Sequence, residues 1–176
     1  VSGAVRSACH LRPHMMTIHL SGGAEMIKAA TNATADYANM TGRQKPLILG
    51  VSVLTSLDDE NLAEIGFSGK TLDQTLRLAE IGIKNGIDGV VCSAHELKEL
   101  KSRFGDAVKY VVPGIRPAGS GDDDQKRVMS PKDAIQSGAD FLVIGRAITA
   151  APDPRLVAKI IQGQLGPSAP TPAEAA

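Results

Sequence analysis

Tryptophan is absent from the 176-residue sequence, and aromatic residues make up only 3% of it. With so few aromatic side chains, a base-stacking platform for single-stranded nucleic acid is not expected. The 19 basic and 19 acidic residues give a formal net charge of zero, so no excess of positive charge attracts a polyanion. We therefore expect no nucleic-acid partner and a core built from Val, Ile, Leu and Ala.

Cysteine is also scarce, and no long apolar run is present. The two cysteines, Cys9 and Cys92, lack the C-x-x-C spacing of a zinc or redox site, so we expect two buried free thiols and no metal. No stretch approaches the about 20 apolar residues of a membrane span. Arg6 and Arg12 interrupt the first residues too early for a signal peptide. These features predict a cytoplasmic protein without membrane contact.

What the sequence does contain is a regular alternation of helical and strand-like segments. Apolar spacing of 3.6 residues, apolar runs and capping residues predict the elements. Strands are predicted over residues 15–20, 46–55, 88–92, 109–112 and 141–144. Helices are predicted over residues 1–11, 24–39, 71–84 and 153–165. Capping boxes predict two further helices, a short one that begins at residues 56–59 and one that runs from residues 93–96 to Phe104. A cap at Ser130 predicts another helix, which ends at Gly138. The buried faces are predicted to be Met26, Ala30, Ala33 and Tyr37 in one long helix and Leu72, Leu76, Ala79 and Ile83 in the other.

This alternation predicts a parallel sheet covered by helices. An open doubly wound sheet and a closed (β/α)8 barrel both fit the pattern, although five strands are too few to close a barrel. No exact internal repeat or domain linker is visible. Residues 1–165 are expected to form one unit, and the small-residue, Pro-rich residues 166–176 a disordered tail.

A long polar loop follows the fourth predicted strand, within VVPGIRPAGSGDDDQKRVMSP (residues 111–131). Loops of this length in compact domains are usually functional or disordered. Arg116 and Gln125 could bind an anion there, and Gly145-Arg146 follows the last strand, where phosphate sites recur in barrels. The three aspartates at 122–124 would repel a phosphate and are expected to face solvent. The loop is therefore predicted to cover an anionic ligand.

Five segments together resemble bacterial orotidine 5'-phosphate decarboxylases: HLSGG (19–23), VSVLTS (51–56), DGVVCSAHE (88–96), the loop of residues 111–131 and FLVIGRAIT (141–149). The resemblance covers residues 1 to about 165. It implies a (β/α)8 TIM barrel used as a homodimer, with orotidine 5'-phosphate or UMP as the ligand. It also implies that Thr55 lies at the pyrimidine, that Arg116, Gln125, Gly145 and Arg146 bind the phosphate, and that residues 119–126 close over the nucleotide.

The resemblance further implies decarboxylation to UMP in pyrimidine biosynthesis, without metal or organic cofactor. The family's catalytic D-x-K-x-x-D motif, which supplies the Lys that protonates the developing carbanion, is absent from this sequence. The only Asp-x-Lys is Asp124-Gln-Lys126, and Met129 stands where the second Asp belongs. No catalytic residue is therefore assigned in this chain, which is expected to hold the last five units of an eight-unit barrel.

Two other functions remain open on the residues alone. A related phosphate-barrel aldolase or epimerase would use the same Gly-Arg phosphate end on a sugar phosphate. A non-catalytic fragment that binds nucleotide or assembles with a partner would explain the missing motif. His19, at the end of the first strand, is expected to be structural, and His10, His14 and His95 are expected to be surface or capping residues.

Overall fold

The computed structural model of the protein describes residues 1–116 and 129–165. The predicted tail at 166–176, the predicted lid at 119–126 and Gln125 lie outside these described residues. The elements follow in the order α1 (Ser2–Cys9), β1 (Met15–His19), α2 (Gly23–Thr41), β2 (Leu47–Val51), α3 (Asp59–Glu64), α4 (Thr71–Lys84), β3 (Gly89–Val91), α5 (Leu97–Phe104), β4 (Lys109–Val112), α6 (Pro131–Gln136), β5 (Phe141–Leu142), α7 (Arg146–Thr149) and α8 (Pro154–Gln164). Short 3-10 turns, Leu20–Gly22 and Ala94–Glu96, precede α2 and α5.

The five strands form one parallel sheet in the order β1-β2-β3-β4-β5. A doubly wound sheet reverses its strand order at a switch point, whereas a barrel adds each strand beside the previous one. The sheet is also curved. Phe141 at the start of β5 lines the same cavity as Met15 at the start of β1, although four strand spacings would separate them by about 19 Å in a flat sheet. The fold is therefore part of a TIM barrel.

The main core lies between the sheet and the helices. Side chains at even positions in β2, β3 and β4, such as Ile48, Val90 and Tyr110, face the helices and are fully buried. The hydroxyl of Tyr110 donates a hydrogen bond to the carbonyl of Gly105 at 2.9 Å. Burial raises the pKa of Tyr110 to about 12, so the phenol stays protonated and keeps donating at neutral pH.

The opposite, inner face of the sheet is covered unevenly. Leu49 and Val111, in the middle of the sheet, are buried, whereas Phe141 and Val143 at the β5 edge are 40% and 51% exposed. Among the described residues, β1 and β5 each pair with a single strand. The apolar inner face is therefore buried in the middle of the sheet and exposed near β5.

Capping residues explain where several helices begin. Ser93 and Glu96 form the predicted capping box, in which the Glu96 carboxylate accepts a hydrogen bond from the Ser93 N–H at 2.9 Å. Ser130 caps α6 and Asp153 caps α8, each with Pro at the first helical position. The capping box predicted at 56–59 is wrong, because α3 begins after Asp58, whose carboxylate accepts from Asn61 N–H at 3.0 Å.

Several predicted boundaries and faces need correction. The strand predicted over residues 46–55 ends at Val51, and those predicted over 88–92 and 141–144 are also shorter. The first helix, predicted over residues 1–11, ends at Cys9, and α7 was not predicted. The buried faces are rotated from the predicted ones: they are Ile27, Ala30, Ala33 and Thr34 in α2 and Thr75, Leu78, Ala79 and Gly82 in α4. Both cysteines are free and buried, as predicted, and His10, His14 and His95 are exposed.

Two aspartates join neighbouring strands by the same arrangement, a structural repeat that was missed in the sequence. Asp88, just before β3, accepts a hydrogen bond from the Ile48 N–H at 2.8 Å and donates its own N–H to the Ile48 carbonyl. Asp140, just before β5, makes the same pair of bonds with Tyr110. The sequences around them, GIDGVV and GADFLV, share a Gly two residues before the Asp. A side-chain acceptor is needed because Ile48 and Tyr110 each lie one residue before the first pair of the ladder with the next strand.

Replacing Asp88 by alanine is expected to destabilise the protein by about 1–3 kcal/mol, because the Ile48 N–H loses its acceptor in a buried strand. The ion pair of Asp88 with Lys45, at 2.7 Å, is lost as well. Asp88→Asn keeps an acceptor oxygen and should cost less. Urea unfolding of both variants, with exposed Asp36→Ala as the control, checks this; equal losses for Ala and Asn would contradict the role of the N–H bond.

Candidate functional site

The candidate site lies where the strands end, at the carboxyl edge of the sheet. In parallel α/β folds this edge carries the ligand, because every strand delivers its following loop to the same side. The ladder continues beyond the assigned strands, since Val143 N–H donates to the Val112 carbonyl at 2.9 Å and Cys92 N–H to the Val111 carbonyl at 3.1 Å. These bonds fix the starts of the loops that hold the predicted site residues.

Arg116 and Arg146 follow neighbouring strands. Arg116 lies four residues beyond β4 and is partly buried, and Arg146 is the exposed first residue of α7, four residues beyond β5. Because β4 and β5 pair directly, both guanidinium groups are delivered to the same end of the sheet. This places two of the predicted phosphate ligands on adjacent loops.

The long polar loop is closed at its base. Ile115 pairs with Met129 in an isolated parallel bridge, and the Arg116 N–H donates to the Met129 carbonyl at 3.0 Å. Ile115 is buried in the core, so the start of the loop is held against the body of the protein. The sequence did not reveal this pairing, because Ile115 and Met129 are 14 residues apart.

Gly145 occupies the position that precedes α7. Its backbone has φ −100° and ψ −107°, and a Cβ placed on it would meet no atom within 4 Å. Its carbonyl accepts hydrogen bonds from the N–H groups of Ile148 and Thr149 at 2.8 and 3.0 Å, which holds the turn after β5. The glycine leaves the backbone beside Arg146 open to an approaching ligand.

Thr55 lies in the loop after β2 and is 7% exposed. It lines a cavity of about 190 Å³ with Val53, Cys92 and Pro113, which follow β2, β3 and β4. Ser52 fixes the start of this loop, because its hydroxyl and its N–H both donate to the Val91 carbonyl, at 2.8 and 3.1 Å. The cavity brings Thr55 towards the end of β4, on the side of the sheet where Arg116 follows.

The structure thus joins the predicted residues in two groups. Thr55 belongs to the mainly apolar cavity over β2 to β4, and Arg116, Gly145 and Arg146 belong to the ends of β4 and β5. Arg146 does not line the Thr55 cavity. His19, exposed at the end of β1, lines an adjoining cavity of about 120 Å³ with Ser52 and Leu54, and Leu54 also lines the Thr55 cavity. Within the described ranges no group of three or more His, Cys, Asp or Glu residues could hold a metal ion.

Residues 1–161 match the family described as "Orotidine 5'-phosphate decarboxylase / HUMPS family". The chain belongs to this family. An orotidine 5'-phosphate decarboxylase of Gluconobacter oxydans is 47% identical over 165 residues, which cover 94% of this chain and 70% of that protein. One from Vibrio parahaemolyticus is 47% identical over 93% of this chain and 69% of its own length.

Solved structures of the family agree with the fold. The crystal structure of orotidine 5'-phosphate decarboxylase from Lactobacillus acidophilus superposes with a TM-score of 0.80 at 33% identity, over 94% of this chain and 69% of that one. An uncharacterized conserved protein from Geobacillus kaustophilus gives a TM-score of 0.76 at 28% identity, over 94% and 69%. This chain therefore has the family's TIM-barrel architecture and spans about two thirds of the length of those structures. Among the described helices, none is long and apolar enough to cross a membrane.

Proposed function

We propose that the protein acts as an orotidine 5'-phosphate decarboxylase, which converts orotidine 5'-phosphate to UMP and CO2, and that this chain supplies the phosphate-binding part of the enzyme. The delivery of Arg116 and Arg146 to one end of the sheet by the paired strands β4 and β5 carries this proposal. The names of the relatives at 47% identity favour a decarboxylase over an aldolase or epimerase.

In this proposal the phosphate is held far from the bond that breaks. Arg116 and Arg146 would pair with its oxygens, Gly145 would let it approach the backbone, and Thr55 would contact the pyrimidine in the cavity over β2 to β4. Charge-assisted hydrogen bonds from guanidinium groups suit a phosphate dianion. Binding energy from such a remote group orders the site and raises the rate only when a catalytic group is also present.

The same scheme assigns Gln125 to the phosphate and residues 119–126 to a closing lid. Support comes from the base of the loop, where the Arg116 N–H donates to the Met129 carbonyl, so that the two described residues on either side of the segment lie next to each other. These assignments remain proposals, as does use of the barrel as a homodimer in the cytoplasm.

The barrel itself is proposed to be completed by further units beside the two outer strands. Three features support this: the sheet curves as in a barrel, the inner side chains of β5 are exposed, and the chain spans about 70% of its relatives' length. In this proposal the further units would supply the D-x-K-x-x-D motif, and its side chains would face the Thr55 cavity.

A second candidate is a non-catalytic nucleotide-binding chain, which the missing D-x-K-x-x-D motif favours. Both candidates require nucleotide binding, so binding alone does not separate them. Adding the missing units distinguishes them, because only the decarboxylase gains turnover.

In the completed barrel, Arg146→Ala is expected to weaken UMP binding by roughly 10- to 150-fold, since a charged hydrogen bond contributes about 1.5–3 kcal/mol. Uridine, which has no phosphate, should bind the variant and the parent chain alike. Isothermal titration with both ligands measures this, with the exposed Arg155→Ala as the matched control. Equal losses of affinity for UMP and uridine would show that Arg146 does not bind the phosphate.

A further inference from the structure

Ser52 lies where β2 leaves the sheet, and its side chain binds a carbonyl that its own backbone already binds. The Ser52 N–H donates to the Val91 carbonyl at 3.1 Å, which continues the ladder between β2 and β3 by one residue. The Ser52 hydroxyl donates to the same carbonyl at 2.8 Å. Since any residue except proline could make the first of these bonds, the ladder does not require a hydroxyl at this position.

A hydroxyl is also not what the surroundings of Ser52 favour. Ser52 is 7% exposed, and the next residue, Val53, is buried in the main core. Serine is found mostly at protein surfaces, and an apolar side chain would suit such a position at least as well. The serine therefore indicates a role other than filling the core.

The bonds of Ser52 act on a peptide unit in the wall of the Thr55 cavity. This unit joins the Val91 carbonyl to the Cys92 N–H, which in turn donates to the Val111 carbonyl at 3.1 Å. A row of hydrogen bonds thus runs from β2 through β3 to β4 at the carboxyl edge of the sheet. Because Cys92 lines the cavity opposite the loop that carries Thr55, the row holds the two walls of the cavity together.

Ser52 itself does not line this cavity, so its effect on a ligand there would be indirect. It lines the adjoining cavity with His19 instead. Thr55 follows three residues after Ser52, in a turn where the Leu57 N–H donates to the Leu54 carbonyl at 3.0 Å. Ser52 holds the start of this turn against β3, so a shift at Ser52 would also move Thr55.

Completion of the barrel would leave these contacts in place. They join β2, β3 and β4, and each of these strands already pairs with a strand on both sides in the described sheet. Further units beside β1 and β5 would therefore replace none of them.

We propose that Ser52 is a positioning residue for the pyrimidine end of the substrate, and that it acts by fixing Thr55 against the end of β3. The inference rests on the proposed function, in which the pyrimidine occupies the Thr55 cavity and the phosphate lies at Arg116 and Arg146. A hydrogen bond of this supporting kind keeps a ligand-contacting group within the narrow range of positions that binding and turnover require. Ser52 thus affects recognition of the pyrimidine and not recognition of the phosphate.

The experiment uses the completed barrel, in which this chain is joined to the part of a relative that carries D-x-K-x-x-D. Isothermal titration compares UMP with ribose 5-phosphate, which has the phosphate and the sugar but no pyrimidine. Ser52→Ala should weaken UMP binding about 3- to 10-fold, the range expected for one neutral hydrogen bond, and leave ribose 5-phosphate binding unchanged. Ser52→Cys, a weak donor of similar size, should give the same pattern, and Ser52→Thr, which keeps the hydroxyl, should restore the affinity for UMP.

Thr34→Ala is the matched control, because it also removes a buried hydroxyl that donates to a carbonyl, that of Thr31 at 2.9 Å. Urea unfolding should show that Thr34→Ala and Ser52→Ala both lower stability. Only Ser52→Ala should change the ratio of the two affinities, which a merely structural role would leave unchanged.

A double-variant cycle tests the route through Thr55. Thr55→Val alone should weaken UMP binding, and adding Ser52→Ala should then weaken it little further, because the residue that Ser52 positions no longer contributes its hydroxyl. Unchanged UMP affinity in Ser52→Ala, equal losses for UMP and ribose 5-phosphate, or additive losses in the double variant would overturn the inference and leave the proposed function standing. Unchanged UMP affinity in Thr55→Val would instead overturn both the proposed pyrimidine site and this inference.

Discussion

Residues 1–176, expressed alone, are expected to release no measurable CO2 from orotidine 5'-phosphate. The described site offers a cavity beside Thr55 and two arginines at the ends of β4 and β5, but the sequence has no D-x-K-x-x-D to stabilise and protonate the carbanion. Removing a whole catalytic network commonly lowers turnover by about a millionfold or more. Trapped radiolabelled CO2, released from carboxyl-labelled substrate, measures the rate.

Two controls make the result interpretable. The Gluconobacter oxydans relative, assayed in parallel, shows that the assay detects the reaction. Arg146→Ala in this chain reveals contamination, because turnover by a host enzyme would not change with the variant. Joining this chain to the part of a relative that carries D-x-K-x-x-D should restore activity; turnover by a folded monomer of the chain alone would show that the catalytic residues have been misplaced.

The chain alone is also not expected to remain a stable monomer. Phe141 and Val143 on the inner face, and the unpaired sides of β1 and β5 within the described sheet, can pair with another polypeptide. Light scattering of the purified chain would report association, which added barrel units should reduce.

Local signals in the sequence located most elements correctly, because they depend on few residues. Helix α4 and strand β4 have the predicted bounds, and the caps at Ser93, Ser130 and Asp153 are confirmed. These features follow from apolar spacing and from side chains that bind a nearby N–H. They need no knowledge of what the element packs against.

Strand lengths could not be predicted in the same way, because pairing partners set them. Residues 52–55 continue the apolar run of β2. The neighbouring strand, β3, ends at Val91, and the residues after it form the capping box that begins at Ser93. Beyond Ser52, whose N–H still donates to the Val91 carbonyl, the residues of the run therefore have no strand beside them. They form instead the loop that holds Thr55, so the error in the strand assignment lies at the candidate site.

The helix faces were wrong for a related reason. Apolar periodicity in α4 assigned the larger apolar side chains to the buried face. The residues that are buried in the structure, however, include Thr75 and Gly82. A Cβ at Gly82 would lie 2.5 Å from Ile87 Cδ1, so the helix can approach this closely only because residue 82 has no side chain. Periodicity alone cannot reveal such an approach. The delivery of Arg116 and Arg146 to the same end of the sheet was predictable because each lies four residues beyond a strand of a parallel sheet.

Leu20 lies in a slot created by two glycines and is expected to contribute more to stability than most core residues. Its side chain is fully buried. A Cβ on Gly50 would lie 2.4 Å from Leu20 Cδ2, and one on Gly82 2.8 Å from the same atom. Leu20 thus fills the space between β2 and α4 that both glycines leave.

Leu20→Ala is expected to destabilise the protein by about 2–5 kcal/mol, because it leaves a cavity that the rigid strand and helix cannot close. Exposed Leu11→Ala is the matched control and should change little. Urea unfolding at one fixed protein concentration measures both, so that any association contributes equally.

Gly50→Ala should also destabilise, by about 1–3 kcal/mol, because the added methyl group meets the Leu20 side chain at less than contact distance. In the double variant, however, the alanine at position 50 occupies part of the space that Leu20 has left. The loss of unfolding free energy in the Leu20→Ala/Gly50→Ala double variant should therefore be about 1–3 kcal/mol smaller than the sum of the two single losses. Additive losses would mean that Leu20 and Gly50 are stabilised by separate contacts, and that the close approach of α4 to β2 does not depend on how this leucine fits between the two glycines.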